Sequence, residues 1–271
     1  MSWPRGLFLA SHRSSTRGSH REPLASALSP QSFEPHAGRS YNVAMRLTGV
    51  LAPLPTPFDE SGALDVGRLR AALPRWVASP LTGFVVLGTN GEAGLLNERE
   101  ADTVIAETRA CVPAGRTLLA GTARESTREA IAAASPVPVL LYNFTAATGV
   151  NLLPETVGRL AAHPNIVGIK ESASDIAQMA DLVAVAPPRF TVLAGSASTL
   201  QAALSAGVSS AILALGGVLP AACVRLFELM RDGKHQEARL PQRQLLPLAP
   251  APDSAVDALR AALHAFEDVF A

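Results

Sequence analysis

Gly83-Phe-Val-Val-Leu-Gly88-Thr-Asn-Gly-Glu92 is a short apolar run that stops in a polar turn flanked by glycines, and a helical stretch from Asn97 to Ala110 follows it. The run is too short for a helix and apolar on both faces, as in a parallel strand covered on each side. Asn97 with Glu100 three residues later reads as an N-cap with its capping glutamate. The same unit recurs in both directions. Strands are expected at Leu47–Pro53, Gly83–Gly88, Thr117–Thr122, Val137–Tyr142, Ile166–Lys170, Phe190–Gly195 and Ser210–Leu215. Helices are expected at Leu64–Val77, Asn97–Ala110, Ser126–Ala134, Pro154–Ala162, Ser174–Val185 and Ser198–Ala206. Ser126 with Glu129 repeats the capping signal, and Pro154 suits a first helical turn.

Strand followed by helix, repeated along the chain, means a parallel α/β fold. An open doubly wound sheet would carry a glycine-rich phosphate loop after its first strand. Here that place holds Pro53-Leu-Pro-Thr-Pro-Phe58. The polar residues instead sit at the ends of several strands, as in a (β/α)8 barrel of the TIM type. Such a barrel needs eight strands, and the pattern gives seven. Only 14 residues lie between Thr122 and Val137, room for one short helix and no strand. The expectation is a barrel with one β/α unit missing between Ala134 and Ser135. Beyond Pro220 the pattern predicts helix from Ala221 to Met230, a break at Arg231-Asp-Gly-Lys234, and resumption around His235–Arg239. A Pro-rich stretch, Leu246–Pro252, precedes a last amphipathic helix from about Ser254 to Phe270. The expected organisation is a leader over 1–46, the barrel over 47–220 and a C-terminal helical segment over 221–271.

At 48% apolar and 17% charged, the 271-residue chain can bury a large core. No apolar run is long enough to span a membrane. The formal net charge of +0 gives no footprint for nucleic acid. With only Cys111 and Cys223, a disulfide scaffold or zinc–thiolate site is not expected. The charge is unevenly spread: Arg5, Arg13, Arg17, Arg21, Arg39 and Arg46 face only Glu22 and Glu34 in the first 46 residues. An Arg-rich, Ser-rich, acid-poor N-terminus is the composition of an organelle transit peptide, so a mitochondrial location is expected. A plain disordered tail is the other reading.

Lysine occurs twice, at Lys170 and Lys234. In a chain that writes nearly every cation as arginine, a lysine at the end of an apolar strand is a candidate nucleophile, because a neutral amine can attack a keto carbon. Strand alternation in Ile166-Val-Gly-Ile-Lys-Glu-Ser172 puts Ile166, Gly168 and Lys170 on one face, with Gly168 leaving space beside the lysine stem. A lysine snorkelling at the strand end or paired with an acid is the other reading. Tyr142 ends Val137-Pro-Val-Leu-Leu-Tyr-Asn143 and shares a face with Leu140. It can relay a proton, or be a half-buried tyrosine with a wet hydroxyl. Thr89 and Asn90, in the Gly88–Glu92 turn, offer donors that can hold a carboxylate, or they form an ordinary turn. Gly195-Ser196 follows a further strand. His163, His235 and His264 lack metal-ligand spacing.

Together these segments resemble the dihydrodipicolinate synthase/N-acetylneuraminate lyase family of Schiff-base aldolases. The carrying stretches are Pro53-Leu-Pro-Thr-Pro-Phe58, Gly83–Glu92, Leu119-Ala-Gly-Thr122, Leu141-Tyr-Asn143 with Thr148-Gly149, His163–Ser172 and Val192-Leu-Ala-Gly-Ser196. They run in the family's order over about residues 47–245. Within the family the chain is most similar to the mitochondrial branch that cleaves 4-hydroxy-2-oxoglutarate to pyruvate and glyoxylate. The resemblance implies that Lys170 forms the imine and Tyr142 moves the proton. It implies that Thr89 and Asn90 hold the pyruvyl carboxylate, and that Ser172 and Gly195 line the substrate pocket. It further implies a small 2-keto acid substrate, no metal or organic cofactor, no nucleic-acid or membrane partner, and a homotetramer.

The chain departs from the family in four places, one of them Leu246–Pro252, where the family continues with further helical sequence. About one β/α unit, with a second active-site tyrosine, is absent at Ala134–Ser135. Ala147 stands where dihydrodipicolinate synthases carry an arginine, which argues against that branch. Gly217 stands where the 4-hydroxy-2-oxoglutarate branch tends to have an asparagine. Alternative expectations are therefore a related pyruvate-dependent aldolase acting on another 2-keto acid, or a catalytically impaired, shortened isoform.

Overall fold

The computed structural model describes residues 6–11, 47–122 and 137–248, the first segment by its backbone. Eight parallel strands close a barrel: β1 (Gly6–Ser11), β2 (Gly49–Pro53), β3 (Gly83–Val86), β4 (Thr117–Gly121), β5 (Val139–Asn143), β6 (Ile166–Glu171), β7 (Thr191–Ala194) and β8 (Ser210–Ile212). Around the ring the order is β1-β4-β3-β2-β8-β7-β6-β5. Seven of these are the strands expected from the sequence, with ends moved by a few residues.

The eighth corrects the expected strand count and the expected limits of the barrel. The stretch from Gly6 to Ser11, assigned above to the leader, lies between β4 and β5. Gly6–Leu9 pair with Leu118–Gly121 on one side, and Phe8–Ser11 pair with Val139–Tyr142 on the other. The physical reason is edge satisfaction. Without an intervening strand, β4 and β5 would each present a row of unpaired N–H and C=O groups. An extended segment satisfies both edges at once. The helix expected at Ser126–Ala134, the Ala134–Ser135 junction and the helix expected near Ser254–Phe270 lie outside the described residues.

The helices pack outside the ring. α1 (Val66–Ala78) is capped by Asp65, whose side chain accepts from Arg68 N. α2 (Glu98–Cys111) has the full capping box expected from Asn97 and Glu100. α3 (Thr145–Thr148) and α4 (Pro154–Leu160) follow β5, with Pro154 in the first turn of α4. α5 (Ile176–Val185) and α6 (Leu200–Ser205) cover β6 to β8. α7 (Pro220–Arg231) and α8 (His235–Leu245) complete the described C-terminal part, and α8 runs on past Pro241 beyond its expected end.

Two apolar layers result. The inner one fills the barrel with Leu47, Leu51, Val85, Leu119, Leu140, Val167, Leu193 and Ile212. The outer one joins strand residues such as Phe84, Leu118, Leu141 and Ile169 to helix residues such as Leu69, Trp76, Leu182 and Leu226. Each fully buried large side chain contributes roughly 1.5–3 kcal/mol over its exposed state. The β2–β8 seam is closed by Ser210 Oγ donating to Leu47 O at 2.7 Å and Leu213 N to Leu51 O at 3.0 Å.

β6 departs from simple alternation. Val139 pairs with Ile166, but Leu140 pairs with Gly168, so Val167 is an extra residue in the β6 edge. This bulge changes the expected faces. Ile166 and Ile169 both join the outer layer, and Val167 joins the inner one. Gly168 does not leave space beside the lysine stem, as the alternation argument had it. A Cβ there would lie 2.3 Å from Thr191 O and 2.9 Å from Leu140 Cδ1.

Two outcomes follow from this packing. Gly168→Ala is expected to destabilise the chain by about 1–3 kcal/mol or more, since a backbone carbonyl cannot step aside; equilibrium denaturation measures it. Deleting residues 1–11 should abolish hydrogen-exchange protection at the edges of β4 and β5 while β2, β7 and β8 stay protected.

Candidate active site

All strands are parallel, so their C-terminal ends share one mouth. Four of the six residues expected at the site sit together there, on β5, β6 and the turn after β7. Tyr142 and Lys170 are register partners on β5 and β6. Lys170 is only 7% exposed, and its Nζ lies 4.1 Å from the centroid of the Tyr142 ring. Among the described residues no carboxylate is within ion-pairing distance of Nζ. Tyr142 packs against the inner layer and stacks on Phe144, with ring centroids 5.8 Å apart. The lysine is therefore held by an aromatic face and apolar neighbours, with no acid beside it.

Ser172 follows β6. Its N–H donates to Asn143 O at 2.9 Å, while its Oγ is buried with no hydrogen-bond partner among the described residues. Gly195 follows β7 and donates its N–H to Glu171 O at 2.6 Å. A Cβ on Gly195 would lie 2.0 Å from Ser172 Oγ, so only glycine fits against that hydroxyl. An unpartnered buried hydroxyl is costly.

Thr89 and Asn90 lie on the same mouth after β3, in a tight 3-10 turn over Thr89–Gly91. No hydrogen bond joins them to Lys170 or Tyr142 among the described residues. The turn uses the N–H groups of Gly91 and Glu92, leaving those of Thr89 and Asn90 outside its own hydrogen bonds. Two non-glycine residues with positive φ bracket it, Leu87 at 55° and Glu92 at 50°. Such strain persists only where surroundings hold it. Thr56, in the Pro53–Phe58 segment, supplies part of that hold: its buried Oγ1 donates to Gly91 O at 2.6 Å.

The sequence pattern missed the groups behind the site. Glu171 and Asn143 stand one residue beyond Lys170 and Tyr142, are register partners, and face the helices. Glu171 is fully buried. Its Oε2 accepts from Asn143 Nδ2 at 2.7 Å and Gln178 Nε2 at 3.0 Å, and its Oε1 from Ala173 N at 2.7 Å. Asn151 joins through Asn143 Nδ2 and Gln178. The available signal was an acid and an amide at equivalent places on neighbouring strands. Thr56 carried no signal beyond its place in a Pro-rich turn.

Neither cysteine is a candidate nucleophile here. Burial pushes the Cys223 thiol up to about 12, and Cys111 ends α2 on the outside of the ring. Among the described residues no group of three or more His, Cys, Asp or Glu comes together, and no helix is long and apolar enough to cross a membrane.

A lone buried lysine at the mouth of a parallel barrel, stacked on a tyrosine, is one part of a larger match. The dihydrodipicolinate synthetase family model matches residues 46–137 and 129–265. The chain belongs to this family. A 4-hydroxy-tetrahydrodipicolinate synthase from Xanthomonas campestris pv. campestris is 34% identical over 230 residues, covering 72% of this chain and 76% of the relative. One from Exiguobacterium sp. is 32% identical over 237 residues, covering 74% and 81%. Among solved structures, a dihydrodipicolinate synthase family protein from Coccidioides immitis superposes with TM-score 0.70 at 27% identity, covering 79% of this chain and 84% of that one. A prophage protein of the family from E. coli K12, solved in complex with pyruvate, gives TM-score 0.67 at 25% identity, covering 80% and 87%. The family comprises Schiff-base, pyruvate-dependent aldolases, which are carbon–carbon lyases.

The turn at Thr89 and Asn90 has a direct mechanical check. Thr56→Val keeps the side-chain shape and removes the bond to Gly91 O. It should lower stability by about 1 kcal/mol in a denaturant titration.

Proposed function

We propose that this chain uses Lys170 to form an imine with a 2-keto acid, and that its substrate is 4-hydroxy-2-oxoglutarate, cleaved to pyruvate and glyoxylate. The observation that carries the reading is the buried Lys170 amine, set over the Tyr142 ring with no carboxylate beside it. An amine with no carboxylate beside it is free to meet a keto carbon, and in its neutral form attacks it. Water leaves and the imine forms. The Tyr142 phenol gives its own proton to the hydroxide that leaves as that water, and the phenolate then takes the proton of the substrate's 4-hydroxyl. The C3–C4 bond then breaks, its electron pair moves into the imine, and glyoxylate departs. The resulting enamine is protonated at C3, and water releases pyruvate from Lys170. Thr89 and Asn90 hold the pyruvyl carboxylate with side-chain and main-chain donors, without a cation. Ser172 Oγ, buried and unpartnered, supplies a hydrogen bond to the bound acid beside Gly195.

The named relatives are tetrahydrodipicolinate synthases. Ala147 favours the 4-hydroxy-2-oxoglutarate substrate over theirs. It lies in α3, after the Tyr142 strand, and gives that loop no arginine for a second substrate.

A second reading, of a shortened and catalytically impaired form, has its own support. The family model matches in two overlapping pieces that meet at residues 129–137, where the sequence pattern lacks a β/α unit. On this reading β1 supplies backbone pairing in place of the family's own strand, without the active-site tyrosine that the lost unit carries. The composition of residues 1–46 supports a mitochondrial leader, and the family resemblance supports a homotetramer. The leader and the barrel are coupled: processing after residue 11 would remove β1. The N-terminus of the protein recovered from mitochondria decides whether β1 is kept.

Pyruvate with borohydride should trap one covalent adduct, on Lys170, read by peptide mass spectrometry. Lys170→Arg should abolish it, because a guanidinium stays protonated. An adduct on Lys234 instead would overturn the assignment. In a panel of 2-keto acids, pyruvate release should be fastest from 4-hydroxy-2-oxoglutarate. It should be at most a trace in the chain as it stands, and rise when the missing unit is restored.

A further inference from the structure

Glu171 sits back to back with the site. Strand alternation sends Lys170 and Tyr142 into the barrel, and sends their register partners' neighbours, Glu171 and Asn143, toward the helices. The outer pair and the inner pair therefore move together. Glu171 is fully buried, and no arginine or lysine pairs with it among the described residues. Burying a carboxyl group this way is costly for folding alone. An apolar side chain in its place would carry no such cost.

The polarity of the network is set by main-chain donors. Leu152 N donates to Asn143 Oδ1 at 3.0 Å, which turns the Asn143 amide nitrogen toward Glu171. Ala173 N donates to the other carboxyl oxygen. The main chain of the same two residues carries the rest of the pocket. Asn143 O receives the N–H of Ser172, and Glu171 O receives the N–H of Gly195. One carboxyl group thus ties β5, β6 and α5 at the height of the reacting groups.

We propose that Glu171 is the positioning residue of this site, holding Lys170 Nζ over the Tyr142 ring through Asn143 and Gln178. The rate part of the test rests on the imine chemistry proposed above; the spectroscopic part does not.

The chain has two lysines, so lysine labelled with carbon-13 gives two side-chain spin systems, assigned by Lys234→Arg. In the full chain, the ring of Tyr142 shifts the Lys170 side-chain signals upfield, and Tyr142→Leu removes that shift. Glu171→Gln puts an amide NH2 where only acceptors fit. It should move the Lys170 signals toward those of Lys234. It should also slow borohydride trapping of pyruvate roughly 10- to 100-fold, leaving the half-saturating pyruvate concentration unchanged. The double variant Asn143→Asp with Glu171→Gln again sets an acceptor opposite a donor and should recover most of the rate. Should Glu171→Gln not fold, Gln178→Met, which keeps the shape and removes the amide that bonds Glu171 and Asn151, decides by the same two measurements. Unchanged Lys170 signals with wild-type trapping, even with a lowered melting temperature, would overturn the proposal. If neither the wild-type chain nor a form with the missing unit restored traps pyruvate, the imine reading fails, and the Lys170 signals still decide the role of Glu171.

Discussion

A parallel barrel has no free edges, and this chain must meet that condition with an unusual set of strands. Seven come from a regular run of β/α units between residues 47 and 212, and the eighth comes from residues 6–11. Ring closure fixes where each strand ends, and so where the polar residues after each strand meet. On one seam, Ser210 and Leu213 tie β8 to the backbone of β2. On the other, β1 gives β4 and β5 their backbone partners. The inner layer, to which every strand from β2 to β8 contributes, then fills the bore. Its upper surface is the floor on which Tyr142 rests.

The second constraint is register within that ring. Ile166 and Ile169 both belong to the helix-facing layer although they lie three positions apart. Plain alternation cannot place both there and also turn Val167 and Lys170 inward. The bulge at Val167 resolves the conflict by adding one residue to the β6 edge, and Gly168 lets β7 and β5 close around it. Bulges of this kind re-aim side chains next to active sites, and the side chain re-aimed here is the lysine.

Much of this was legible in the sequence. The strand–helix alternation gave the parallel α/β class, and Asn97 with Glu100 gave a helix start that the structure reproduces as a capping box. Lys170 stood out because lysine is rare in this chain, and Tyr142 because it ends a strand. The bulge was not legible, because Ile-Val-Gly-Ile reads equally well with or without an extra residue; only pairing with Val139 and Leu140 exposes it. β1 was hidden for a different reason. A short apolar run among serines and arginines becomes a strand only when two open edges lie on either side of it, and that is a property of the rest of the chain. The Asn143–Glu171–Gln178 network was written in polar residues that local patterns treat as surface. Its members gather because β5, β6 and α5 do.

The same alternation explains how a glutamate can follow the lysine directly without pairing with its amine. An ammonium paired with a carboxylate has little tendency to lose its proton and cannot attack a carbonyl. Two residues adjacent in a strand point to opposite faces. Glu171 is drawn outward by Asn143, Gln178 and Ala173, which occupy both of its oxygens. Lys170 is left with the face of Tyr142. The sheet thus keeps the acid close enough to brace the strand and too far round it to quench the amine. On the proposed imine reading, the carboxylate of a keto acid meets the turn at Thr89 and Asn90 across the barrel from Lys170, where N–H and side-chain donors hold it apart from the amine.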